Sequence, residues 1–139
     1  MHVPCRFSFL RIIRQTVVDL CAMAGMSEFK AAQLEMAVDE ACANVIEHSY
    51  GGESAEEREK THPGLRLNLI QFDSRVEIEI YDYGAGFNLQ ECEVIDPEKY
   101  VANKNERGLG MFIIHKFVDK LDYERGSQYG NCLRLTKQL

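Results

Sequence analysis

The 139-residue chain predicts an α+β fold of two layers, a mainly antiparallel sheet with helices on one face. Three observations lead there. Two early stretches repeat apolar residues at helical spacing. Two stretches after residue 64 alternate apolar and polar residues, as half-buried strands do. The element order reads α-α-β-β, a long polar break, then α-β-β, and strands grouped in this way favour antiparallel neighbours.

The first helix is carried by Phe9, Ile12, Ile13, Val17 and Leu20, with Gly25 as its stop. Ser27 is placed to cap a second helix, and Glu28 suits its N-terminal dipole. This helix is expected to run to about Ser49, where Gly51-Gly52 ends it. Residues 51–64 are polar and read as a solvated connection rather than a domain boundary. Leu65, Leu67 and Leu69 then form one strand and Val76, Ile78 and Ile80 another, with a hairpin turn at Asp73-Ser74. Residues 88–107 hold Pro97 and many charges, and a stretch of that length in a compact domain reads as a functional lid. A third helix is expected from Leu109 to about Lys120. A closing hairpin pairs 121–125 with 131–137 across a turn at 126–130.

Composition narrows the classes. The chain is 45% apolar and 27% charged, within the range of ordinary globular proteins, and its length fits a single domain over 1–139. A net charge of −6 argues against a nucleic-acid or anionic-membrane surface. No apolar run is long enough to span a membrane, and the N-terminal stretch lacks the pattern of a signal peptide. The five cysteines are scattered and never form a CxxC pair, which fits free thiols in a reducing cytoplasm better than disulfides or zinc.

Three segments carry chemistry. On the second helix, Leu34, Val38, Ala41 and Val45 share the core arc, and Glu40, Asn44, Glu47 and His48 form a stripe roughly 120° away. Asn is a poor mid-helix residue, and its amide oxygen suits a hard cation such as Mg²⁺. Glu40, one turn earlier, is placed to accept a proton from a nucleophile. The same stripe is also what a solvated helix face would show.

The second segment is Asp82-Tyr-Gly84-Ala-Gly86-Phe. Asp82 shares the parity of Val76, Ile78 and Ile80, so it points to the apolar face. A carboxylate there needs a donor, and an adenine amino group is a suitable one. Gly84 and Gly86 permit a turn and a close backbone approach, although a strand ending in an Asp-Gly turn has the same sequence. The third segment, Arg107-Gly108-Leu109-Gly110, stands where the third helix begins. Free amides and the helix dipole favour phosphate there, and Arg107 adds a planar cation. Neither a Walker A loop nor a Rossmann fingerprint is present.

Taken together and in this order, the segments resemble a known superfamily. EACANVIEHSYGG resembles the N box of the GHKL ATPases and kinases, the group of gyrase, histidine kinase and MutL type enzymes. DYGAGF is similar to its first glycine box and RGLGMFII to its second. Within the superfamily the chain is most similar to bacterial anti-sigma-factor serine/threonine protein kinases. No segment before residue 28 resembles a phospho-accepting histidine helix. The resemblance implies a Bergerat-type fold with a lid between the glycine boxes.

It also implies ATP and Mg²⁺ as cofactors, Glu40 as catalytic base and Asn44 as the metal ligand. Asp82 would hold the adenine amino group, Gly84 and Gly86 would shape the base pocket, and Gly108 with Gly110 would hold phosphates. Arg107, Leu109 and His48 are further nucleotide-contact candidates. Met111 stands where relatives more often have Leu. Asn131 stands where relatives often have a Thr near the adenine, and its parity points it inward. The implied partners are a STAS-type anti-anti-sigma protein and a sigma factor. A homodimer is also implied. Val3, Phe7 and Phe9 could serve it, or could pack on the sheet. Three activities follow from these residues: transfer of phosphate to a serine, ATP-gated sequestration of a partner without catalysis, or a water-directed ATPase.

Overall fold

The structure is a computed structural model and describes residues 1–53, 64–88 and 109–139. Its described strands form one five-stranded sheet. In chain order they are β1 (His2–Val3), β2 (Leu65–Gln71), β3 (Arg75–Asp82), β4 (Lys120–Ser127) and β5 (Gly130–Gln138). The spatial order is β1-β2-β3-β5-β4, and every neighbouring pair is antiparallel. Among the described residues three α-helices accompany it: α1 (Leu10–Met23), α2 (Glu28–Asn44) and α3 (Leu109–Phe117).

The sheet has one apolar and one polar face because its strands alternate. Leu65, Leu67, Ile78, Ile80, Leu133 and Leu135 are buried and face the helices. On the other face, Glu79 accepts hydrogen bonds from Asn68 at 3.0 Å and from Arg134 Nη2 at 2.6 Å. Burial alone would raise the Glu79 carboxyl, but these donors and Tyr81 outweigh it and hold it below the usual carboxylate range.

β1 is an edge strand that the sequence does not predict, and it decides between the two roles left open for Val3. Val3 is buried and pairs with Leu65, so it packs on the sheet, whereas Phe7 stays 39% exposed. The core row of α1 is Leu10, Ile13, Val17 and Cys21. Ile12, expected in that row, is 52% exposed, because Leu10 and Cys21 shift the buried stripe off it.

α2 is the central helix and packs against both α1 and α3. Ser27 caps it, its hydroxyl accepting from Lys30 N at 3.3 Å. Buried Ala31, Ala37 and Ala41 keep its surface small, which lets neighbours approach from two sides. Helical structure runs to Ser49 as expected, but its last stretch, Val45–Ser49, is a π-turn. Tyr50 N there bonds Val45 O at 3.0 Å, five residues back. Gly51 and Gly52 then take φ of 76° and 101°, which ends the helix.

α3 is shorter than expected, closing at Phe117 rather than near Lys120. The sheet wins the chain at this point. Asp119 N donates to Thr136 O at 2.9 Å, which starts the β4–β5 pairing. Lys137, buried on the inner face, donates to Phe117 O at 2.6 Å and to Gln33 Oε1 at 2.9 Å. It thereby satisfies a carbonyl at the helix end, where cations are favoured. The closing hairpin is also longer than expected, reaching Ser127 and resuming at Gly130, with an irregularity between Glu124 and Ser127.

Lys137→Met should leave the Phe117 carbonyl and the Gln33 amide without this buried donor. Chemical denaturation should show a loss of about 1–3 kcal/mol. A variant as stable as the parent would mean that Lys137 does not hold the end of α3.

Candidate functional site

The site is built around the last residue of β3. Asp82 is 1% exposed and lies directly across the ladder from Asn131 on β5, which is 3% exposed. The inward direction read from strand parity is therefore observed for both residues. The described bonds to the carboxylate converge on Oδ1, which accepts from Gly84 N at 2.9 Å, from Asn131 Nδ2 at 2.9 Å, and from the Ser49 hydroxyl. Gly126 N donates to Asn131 Oδ1 at 2.9 Å, and Asn131 Nδ2 also donates to Gly84 O at 3.1 Å. These contacts fix which end of the amide faces Asp82.

Ser49 is the residue that sequence reasoning missed. It is 4% exposed and closes the π-turn. Its hydroxyl donates to Asp82 and accepts from Gly86 N at 2.9 Å, while its carbonyl accepts from Ala85 N at 2.8 Å. A signal was available, since Ser49 follows Val45 by four residues and so continues the core row as a polar residue. Tyr50 adds a second tie, its hydroxyl accepting from Tyr83 N at 2.9 Å and donating to Gly64 O at 2.7 Å.

The two glycines after Asp82 are required for different reasons. A Cβ on Gly84 would overlap the Ser49 carbonyl. Gly86 has φ of 74°, and a Cβ there would meet Arg125 Nε and Tyr123 Oη at 2.9 Å. Arg125 clamps the same loop by donating to Ala85 O from Nη2 at 2.9 Å and from Nε at 3.1 Å. Phe87 stacks on Tyr123 with ring centroids 4.7 Å apart, forming an aromatic wall beside the loop.

The second half of the site lies one to two turns earlier on α2. Glu40 and Asn44 are half-buried beneath the start of α3. A Cβ built on Gly110 would stand 2.7 Å from Glu40 Oε2 and 3.8 Å from Asn44 Nδ2. Gly110 thus leaves a cradle that any side chain would fill. Asn44 Nδ2 donates to Met111 Sδ at 3.5 Å, so the amide oxygen is the other end of the group and is turned away from that sulfur. The Glu40 carboxyl is raised, first by burial and then by the nearby charges of Asp39 and Glu47.

The helical stripe expected from the sequence therefore divides. Glu40 and Asn44 face α3, whereas Glu47 and His48 are exposed and pair with each other at 3.8 Å. The division falls where α2 gives way to the π-turn, because an added residue per turn breaks the 100° wheel. Leu109 and Gly110 open α3, as expected. Arg107, Gly108 and, from 89 onward, the segment expected to form a lid lie outside the described residues.

One helix thus joins a buried acceptor carboxylate beside a glycine turn to a carboxylate–amide pair beneath a helix N-terminus. Such a site is suited to a ligand with an amino-bearing base at one end and anionic oxygens at the other. The chain belongs to the family of histidine kinase-like ATPase domains, whose pattern matches residues 4–137. Its antiparallel α+β architecture agrees with that family. Among its relatives, the serine-protein kinase RsbW of Halalkalibacterium halodurans is 31% identical, over 100% of this chain and 82% of its own length. The proteins of the same name from Bacillus pumilus and Oceanobacillus iheyensis are each 27% identical over 100% of this chain, covering 84% and 85% of their own lengths.

The raised Glu40 carboxyl has a consequence for stability. A carboxylate whose folded-state pKa lies above its unfolded value costs stability once pH exceeds both, and costs nothing below both. Glu40→Gln should therefore melt higher than the parent at neutral pH, and the gap should close as pH falls to about 3, below the usual carboxylate range. Thermal melts across this range check the sign; a variant that melts lower at neutral pH would contradict it.

Proposed function

We propose that the chain is an ATP- and Mg²⁺-dependent serine protein kinase that acts as an anti-sigma regulator. Its substrate is a serine on a STAS-type anti-anti-sigma protein, its second partner is a sigma factor, and it works in the cytoplasm as a single domain. Family membership and the serine-protein kinase relatives support ATP use and this substrate class. Within the described residues, no helix is long and apolar enough to cross a membrane.

The single observation that carries the reading is the pairing of Asp82 with Glu40 and Asn44 along one helix-anchored site. Among the described residues Asp82 takes its donors on Oδ1, which leaves Oδ2 to accept from an adenine 6-amino group. Guanine carries an oxo group at that position and is rejected by two opposed acceptors. Gly110 keeps the entrance to α3 free of a side chain, so backbone amides at the helix start can meet phosphate oxygens.

Asn44 fits the metal, because Met111 occupies its NH₂ end and oxygen is the ligand Mg²⁺ prefers. The ion, when bound, neutralises charge on the phosphates. Glu40 is the base. It accepts the serine hydroxyl proton as the hydroxyl oxygen bonds the γ-phosphorus and the bond to ADP breaks. Arg107 and Gly108 contribute further phosphate contacts, and Leu109 and His48 lie at the margin of the nucleotide.

Glu40 works only when ionised, so phosphoryl transfer should fail as pH falls through a carboxyl pKa raised above its usual value. Asp39→Asn should move that acidic limb to lower pH, but only in part, because burial is the larger cause.

The nucleotide assignment is tested by Asp82→Asn with calorimetry. Asn keeps an oxygen for the three internal donors and replaces Oδ2 with an NH₂ that opposes the adenine amino group. ATP affinity should fall by about 10- to 100-fold with little change in melting temperature. Unchanged affinity would sink the adenine assignment. Transfer is tested with radiolabelled ATP and the cognate STAS protein. The parent should label its serine and Glu40→Gln should not. Tight ATP binding without labelling would instead mark a nucleotide-gated binder, and phosphate release without an acceptor would mark an ATPase.

A further inference from the structure

We infer that Ser49 is a positioning residue that sets the base specificity of the nucleotide pocket, by fixing the plane in which the Asp82 carboxylate presents its second oxygen to the ligand. The inference rests on the adenine reading of Asp82 given above. It assigns to Ser49 a task that neither the helix wheel nor the glycine boxes indicate.

The torsion that turns an aspartate carboxylate is broad, so burial alone does not fix its plane. Three donors converge on one oxygen and fix it: Gly84 N, Asn131 Nδ2 and the Ser49 hydroxyl. The first is local to the strand end and the second comes from the neighbouring strand. Ser49 alone comes from the helix layer, so it fixes the carboxylate relative to α2.

Ser49 also holds the loop that borders the base. Its hydroxyl accepts from Gly86 N at 2.9 Å and its carbonyl accepts from Ala85 N at 2.8 Å. Asn131 Nδ2 also donates, weakly, to the same hydroxyl at 3.5 Å. The hydroxyl thus acts as donor and acceptor at once, which an alanine cannot do and a thiol does weakly. Ser49 continues the core row of Val45 and closes the π-turn, at the end of the helix that carries Glu40 and Asn44.

The test compares ATP with purine riboside 5′-triphosphate, which lacks the 6-amino group and is otherwise the same. Calorimetry on the full chain gives the affinity ratio of the two nucleotides. The parent should prefer ATP. Ser49→Ala should shrink that preference by about five- to tenfold, mostly through ATP, with Ser49→Cys in between. A merely structural role would weaken both nucleotides together and leave the ratio unchanged, and that result overturns the inference.

Asp82→Asn is measured in parallel to separate two failures. If it spares ATP binding, the adenine reading falls and the Ser49 inference falls with it. If it abolishes the preference while Ser49→Ala keeps it, the adenine reading stands and only the Ser49 inference is wrong. Should Ser49→Ala fail to fold, Ser49→Cys carries the comparison under the same criteria.

Discussion

A carboxylate on the apolar side of the sheet is the constraint around which this structure is organised. Asp82 is 1% exposed, at the end of a strand whose other inward residues are Val76, Ile78 and Ile80. An unpaired charge in such a place would cost several kcal/mol, enough to consume much of a domain's stability. The protein meets the cost with donors from three directions: the glycine turn, the neighbouring strand and the helix layer. Each donor imposes a demand in turn. Gly84 must lack a side chain to let the turn lie against Ser49, and Gly130 must lack one because a Cβ there would overlap the Asp82 carbonyl. The β3–β5 register must bring Asn131 opposite Asp82, and a slip of β5 by one residue would turn Asn131 away.

α2 turns this local solution into a site with two ends. It touches both α1 and α3 through a surface kept small by alanines, so its position is set by the core rather than by the ligand. Glu40 and Asn44 come from its regular part and Ser49 from its π-turn. A regular helix would continue the 100° progression and place Glu47 and His48 beside Asn44. The π-turn gives up that stripe and anchors the helix end to the glycine loop. Glu47 and His48 are left exposed, although the Glu47 charge still reaches the half-buried Glu40.

Much of this was legible in the sequence, and the parts that were not share a physical cause. Strand parity located Asp82 and Asn131, because a period of two leaves only two directions for a side chain. Helical spacing found Leu34, Val38, Ala41 and Val45, and the Ser27 cap lay where its side-chain chemistry required. Failures arose where tertiary contacts override local preference. α3 stops at Phe117 because Asp119 is drawn into pairing with Thr136 and because Lys137 takes the Phe117 carbonyl from across the sheet. Nothing local to 109–120 encodes either event. The π-turn has no propensity signature, so Ser49 was passed over although it continued the core row. The β1 edge rests on two residues, too few for a periodicity to register.

Asn131 shows why departure from a family pattern need not weaken a site. The resemblance put a threonine near this position in relatives, and a hydroxyl offers one proton. The amide here does three things at once. Its oxygen accepts from Gly126 N, and its two protons reach Asp82 Oδ1 and the Gly84 carbonyl. The contact to Gly126, whose φ is 69°, ties the irregular stretch of β4 to β5. That stretch begins beside Arg125, which clamps the Ala85 carbonyl. The asparagine therefore links the hairpin, the buried carboxylate and the glycine loop in one unit. A threonine could serve the carboxylate but would leave the Gly84 carbonyl or the Gly126 amide to find another partner. The hairpin irregularity places the Gly126 amide where the asparagine oxygen accepts from it, so the two act together.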